Sequence, residues 1–292
     1  DIVTHFKETH PQVNMLFIKQ KQRTGKSIAI NEAYAKSSGE IHIISDSDSI
    51  MPSNAISNLI ANFADAEIGA ATGHGAFSTE ADTEQVYLGW YNLLRQSESN
   101  IDSTPIFDGH LSAYRADLIE NVPENINADE SAQAISIRRK GYRTIFDAQS
   151  TFTEYGPAGL TELLRVKVRR GQGLIRIFWR NRDLLFNSRH GKFSRIIMPA
   201  EFFMLVISPI LVGILLILAP IVAWNYLPSS LILIGALACV GIYFLPNKRN
   251  FINPIRFITS FLVYQLSLLY AMILWIIGRK MNVWKKSEKV ET

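Results

Sequence analysis

Cysteine is all but absent from the 292 residues: Cys239 stands alone, inside an apolar run. Neither a disulfide framework nor a thiolate metal site can form within one chain. A complete phosphate-binding P-loop is missing as well. Gly25-Lys26-Ser27 imitates its end, but the motif needs a glycine five positions before Gly25, where Gln20 stands. Acid is scarce between Leu163 and Arg195, where Asp183 faces ten lysines and arginines. Formal charge vanishes altogether from 203–224, 229–245 and 257–277. Neither methionine nor a signal peptide precedes the folded pattern at Asp1, so the start is expected to be a truncation.

What is present is organised around residues 40–50, Glu-Ile-His-Ile-Ile-Ser-Asp-Ser-Asp-Ser-Ile. Ile41, Ile43 and Ile44 have the composition of a short buried strand. That strand runs into Asp46-Ser47-Asp48. Side chains at i and i+2 of an extended segment share a face, so the two carboxylates point the same way. Like charges at a strand end repel unless a cation sits beside them, and an oxygen-only pair suits Mg²⁺ or Mn²⁺. On those residues alone a solvated acidic turn reads equally well. The C-terminal end of a strand, where open α/β sheets bind ligands, favours a site.

The first 160 residues alternate strand and helix signals, which makes the fold class α/β. Strands are expected at 14–18, 68–72, 106–115 and 141–146, the third with a glycine kink. Helices are expected up to Ser37 from about Lys26, over 52–64 and 81–97, and from after Asn127-Ala-Asp-Glu130 through Ile135 and Ile137 to Lys140. Gly73 and Gly75 flank His74 as a turn signal. Lys26, at a helix N-terminus, can face a phosphate. His110 can contact an acceptor, but a histidine beside a glycine is more often structural. Asp129 and Glu130 suit a helix N-terminus on dipole grounds, and a catalytic role competes directly with that reading. Glu154 and Pro157 fall in the loop beyond the last strand.

In this order the motifs resemble those of the family 2 glycosyltransferases. Gly25-Lys26 with Ala29 and Asn31 resembles the family's Gly-Lys…Ala-Leu-Asn helix, and Glu40 to Asp48 its Gly-Glu-strand-Asp-x-Asp signature. Asp129-Glu130, with Gly141-Tyr142 eleven residues further on, is similar to its acidic general-base motif. Glu154, Pro157 and Arg169-Arg170-Gly171-Gln172-Gly173 resemble the segment ending in a basic motif under the donor pyrophosphate. The resemblance covers residues 13 to about 185. It implies a GT-A, Rossmann-like nucleotide-sugar-binding domain that inverts the anomeric centre. Asp48 would ligate Mg²⁺ or Mn²⁺, with Asp46 on the metal or the ribose. Lys26, Arg169 and Arg170 would face the donor phosphates. Glu130 would be the general base, with Asp129 the next choice.

Departures from the family pattern carry information too. Val166 and Arg170 stand at the Gln and Trp positions of the processive Gln-x-x-Arg-Trp motif, which argues against a polymerising synthase. The base motif reads Asp-Glu where the family has Glu-Asp. The family's first two strands, with their nucleobase-binding acids, fall before Asp1. This stretch alone is therefore expected to lack part of its nucleotide pocket, and to be inactive by itself.

The expected domains are 1–160, the catalytic domain without its first strands; 161–198, a basic amphipathic segment; and 199–292, a transmembrane region with about three spans and a basic tail. Apolar residues interleave with the basic ones in 161–198, so an anionic membrane surface explains the segment better than nucleic acid does. The basic flank places the catalytic domain on the cytoplasmic side of a multi-pass protein. Arg279, Lys280, Lys285 and Lys286 then fall on the wrong side, and the sequence leaves that conflict open. The leading reading is a transferase that moves a sugar from a UDP- or GDP-sugar to a lipid-linked or glycan acceptor at the membrane. A processive polysaccharide synthase and a non-catalytic membrane scaffold remain as alternatives. A transporter is disfavoured, because the spans carry no ionisable residue.

Overall fold

The computed structural model describes residues 2–20, 22, 25–77, 82–123, 127–154, 159–226, 228–229, 231, 235, 239 and 254–279, with the backbone alone for 82–87. The elements are α1 (Ile2–Thr9), α2 (Lys26–Lys36), β1 (Ile41–Ile44), α3 (Ala55–Ala61), β2 (Ile68–Phe77), α4 (Asp82–Ile101), β3 (Ser112–Arg115), α5 (Asp129–Arg139), β4 (Arg143–Glu154) and α6 (Leu160–Arg180). Two long apolar helices follow, α7 (Phe193–Tyr226) and α8 (Pro254–Ile276).

The strands form one sheet in the order β1-β3-β2-β4; β3 is antiparallel to both neighbours, and β2 runs parallel to β4. Strand alternation sends successive residues to opposite faces. Ala71 and Ala113 pack with Leu59 and Phe63 on the α3 side. Ala70 and Tyr114, their neighbours in sequence, pack with Ala134 and Ile137 of α5 on the other side. The helix that begins with Asp129 and Glu130 is thereby fixed on the sheet.

Several expected elements come out differently. Residues 14–18 form no strand: no described strand pairs with them, and Leu16 and Phe17 are exposed. Backbone N–H and C=O groups make a strand only where a partner ladder exists. Gly73-His74-Gly75 is no turn but part of β2. A Cβ at Gly73 would lie 2.5 Å from the Ser150 carbonyl oxygen, and one at Gly75 would lie 2.8 Å from the Phe152 ring. Glycine is there for close approach. Only Ser112–Arg115 of the expected 106–115 strand pairs, and residues 109–110 turn. β4 extends to Glu154, so that carboxylate ends a strand instead of floating in a loop.

The amphipathic α6 buries its apolar face. Val168, Ile175 and Phe178 join Phe193 and Met198 of α7, Leu268 and Ala271 of α8, and Ile106 and Ile135 of the α/β part in one cluster. A Cβ at Gly171 would sit 2.8 Å from the Leu268 side chain, so the two helices meet closely there. Both α7 and α8 are long and apolar enough to cross a membrane, by length and composition. Ile214, Leu215, Ile217 and Leu218 of α7 are exposed. The middle expected span, 229–245, falls almost entirely outside the described residues.

Candidate active site

Three connections assemble the site. The first is the start of α2. Gly25 approaches it at φ 108, a left-handed conformation that favours glycine, and Lys26 is the first helical residue. The Lys26 ammonium donates to Asp46 Oδ1 at 2.8 Å and to Glu130 Oε1 at 2.7 Å. Next to it, Ser27 Oγ donates to Asp129 Oδ1 at 3.0 Å. One helix end thus reaches both the acidic turn after β1 and the start of α5.

The second connection is a bridge between Ile50 and Thr153. Ile50 N–H donates to the Thr153 carbonyl at 2.9 Å and Thr153 N–H returns to Ile50 at 2.8 Å. It holds the Asp46–Asp48 turn against the end of β4. The third runs through His110. Its Nε2 lies 2.9 Å from Glu154 Oε2 and its Nδ1 2.6 Å from Asp108 Oδ1. Its ring stacks on Phe152, with centroids 5.3 Å apart. Arg170 reaches Glu154 Oε2 at 3.5 Å from α6.

The electrostatics follow from that crowding. Burial pushes the Lys26 ammonium down, but Glu130 and Asp46 outweigh it and hold its pKa well above the usual lysine range. Burial and the neighbouring Glu130 carboxylate push Asp129 up to about 7, against the help of Ser27 and Lys26. Burial opposes a charged His110, yet the hydrogen bonds to Asp108 and Glu154 prevail and raise it to about 10. Asp108 is held well below the carboxylate range, since His110, Arg170 and Arg95 overcome its burial. Burial and Arg170 lower Arg169 to about 10, while Asp46 and Glu130 pull it back. Burial also works against Arg170, but Asp108, Glu154, Asp46 and Glu130 raise it above the ordinary arginine value.

The candidate site residues Lys26, Asp46, Asp48, Asp129, Glu130, Arg169 and Arg170 stand in or beside this cluster, while Pro157 lies outside the described residues. Asp129 and Glu130 part ways within it. Glu130 faces Lys26, whereas Asp129 turns to Ser27 and is 3 % exposed. Gly109 and Asp108 escaped the sequence reading. A Cβ at Gly109 would lie 2.6 Å from Glu130 Oε1 and 2.8 Å from Lys26 Nζ, so glycine makes room for that ion pair. The Asp-Gly-His triplet was the available signal.

The cluster fits a divalent cation by its donor set. Asp46, Asp48 and His110 each offer a ligand atom, all within 4.8 Å of one another. Two carboxylates favour a hard ion of the Mg²⁺ or Mn²⁺ kind. Both His110 nitrogens already face carboxylates and Asp46 Oδ1 accepts from Lys26, so a cation at the oxygen pair would share Asp46 with the ammonium.

Residues 2–122 match the model of the glycosyl transferase family 2. The match covers less than half of the 292 residues. No curated protein matches it in sequence. Among solved structures, it is similar to a mannosyltransferase from Pyrobaculum calidifontis, solved in complex with GDP-Man and Mn²⁺. The likeness spans 98% of this chain and 74% of that one at 22% identity, with a TM-score of 0.65. At that identity the likeness speaks for the fold, which is GT-A-like. The chain carries its acidic cluster at the C-terminal end of β1, where α/β sheets of this kind bind ligands.

Proposed function

We propose that this glycosyltransferase moves a sugar from a nucleoside-diphosphate sugar to a membrane-presented acceptor, a lipid-linked group or a glycan, with inversion. The carrying observation is that Lys26 joins Asp46 to Glu130 in one cluster with Arg169 and Arg170. That arrangement puts phosphate-compensating charge beside a carboxylate able to take a proton. The similar mannosyltransferase was solved with GDP-Man and Mn²⁺, which favours a GDP-sugar over a UDP-sugar here, and Mn²⁺ or Mg²⁺ as the ion.

Asp48 and Asp46 would hold the ion, which when bound supplies Lewis-acid charge for the departing diphosphate. Arg169 and Arg170 add fixed positive charge on the same side. Glu130 accepts the proton of the attacking acceptor hydroxyl, while Lys26 keeps that carboxylate oriented. The acceptor oxygen bonds to the anomeric carbon as the bond to the diphosphate breaks, and the nucleoside diphosphate leaves from the opposite face. Asp129 positions α2 through Ser27. Arg170 occupies the place of the processive family's tryptophan and is engaged with Glu154, which supports single transfer over polymerisation.

The exposed apolar face of α7 supports a membrane anchor. On this reading residues 1–160 form the catalytic domain and 161–198 its basic membrane-facing segment. Residues 199–292 form the anchor, with the catalytic domain on the cytoplasmic side. The direct test is calorimetric titration of GDP in the presence of Mn²⁺. Asp48→Asn is expected to abolish Mn²⁺-dependent binding; undiminished binding rejects the site.

A further inference from the structure

We infer that His110 is a positioning residue for Arg170: a strut that carries the placement of the sheet to the cation on α6. The inference rests on the donor-site reading above. Both ring nitrogens of His110 face carboxylates, Asp108 at 2.6 Å and Glu154 at 2.9 Å. Ionised carboxylates only accept, so both nitrogens donate. A ring that donates from both nitrogens has no lone pair for a cation, although it lies beside Asp46 and Asp48. Proximity suggests a third metal ligand; the hydrogen bonds say otherwise.

The strut is anchored at one end and loaded at the other. Asp108 is tied down by its own backbone: its carbonyl accepts from Ser112 Oγ at 2.6 Å, and its N–H donates to Thr72 Oγ1 at 3.1 Å. The ring between is 4 % exposed and stacked on Phe152, which fits against the bare Cα of Gly75. At the far end, Glu154 Oε2 receives both His110 and Arg170. Arg170 belongs to a helix that packs on α5, α7 and α8, and its guanidinium reaches the sheet at Glu154, the last residue of β4. Removing the imidazole frees Glu154 to swing, and Arg170 loses its fixed place. Partners one step behind a metal ligand typically contribute about 10–100-fold in affinity or activity, and an effect of that order is expected here.

The test is a double-mutant cycle read by Mn²⁺-dependent GDP binding, with His110→Asn, Arg170→Gln and the pair. Each single variant is expected to weaken GDP binding roughly tenfold. The pair should be no weaker than Arg170→Gln alone, because the two act through one contact. Binding of Mn²⁺ by itself should stay within about twofold of the parent, and pulsed electron paramagnetic resonance of the Mn²⁺ form should show no directly bound imidazole nitrogen. Additive losses overturn the strut. So does an imidazole coupling that disappears in His110→Asn, which would make His110 a ligand. A parent protein that binds neither GDP nor UDP with Mn²⁺ contradicts the donor-site reading, not the strut. The strut is then judged by nitrogen NMR of the imidazole. Two ring N–H protons on His110, shifted by Arg170→Gln, uphold it; a single ring N–H overturns it.

Discussion

At the residue scale, Asp129 and Glu130 show how neighbours in sequence take different work. Both start α5, where the helix dipole favours acid, yet Glu130 meets a cation and Asp129 a hydroxyl. Asp129 consequently holds its proton to about pH 7, against an ordinary 3.8. A carboxyl raised in the folded state stabilises the fold fully below its unfolded pKa, and loses that contribution as pH rises through the folded value. Stability should therefore fall between pH 4 and 7, by about 4 kcal/mol at most. Asp129→Asn keeps the acceptor for Ser27 and should flatten that slope, which thermal melts across the pH range will show. Gly109→Ala is the complementary case. Its Cβ would meet the tips of flexible side chains, Glu130 and Lys26, so folding should survive. Displacing the pair by about an ångström should still cost on the order of a hundredfold in turnover, and kinetics beside a melting curve separate the two effects.

At the element scale, the acidic turn, the α2 start, the α5 start and the basic turn of α6 were each legible as local patterns. What joins them was not. The Asp46–Asp48 turn, His110 and Glu154 meet because Ile50 bridges Thr153 and because β4 runs on to Glu154. Pairings between residues far apart in sequence leave no local periodicity to read. Residues 14–18 fail in the opposite sense: the apolar signal is present and the partner ladder is not. Gly73 and Gly75 looked like a turn because glycine signals both turns and close approach. The packing of α6 yields a further prediction. A Cβ at Gly173 would lie 2.9 Å from the Asn127 backbone, two residues before Asp129. Backbone gives way less easily than a side-chain tip, so Gly173→Ala should destabilise by about 1–3 kcal/mol. By shifting the start of α5 it should also lower kcat more than it raises KM, which steady-state kinetics will separate.

At the scale of the whole molecule, α5 and the segment before β3 share one cluster with the apolar helices, from Ile106 and Ile135 through α6 to Leu268 and Ala271. The helices are thus part of what holds Arg169 and Arg170 in place. The exposed face of α7 belongs in lipid on this account. Ile214→Asp with Leu218→Asp should release the chain from membranes on alkaline carbonate extraction, where the parent stays in the pellet. The central claim is that the cluster around Lys26 is a transfer site whose base is Glu130. It is tested most directly by Glu130→Gln in the complete protein, with GDP release from GDP-mannose measured on membranes beside Mn²⁺-dependent GDP affinity. The account predicts near-normal GDP affinity and release slowed by at least about a hundredfold, as the loss of a general base requires. Release at the parental rate with the affinity intact would contradict it.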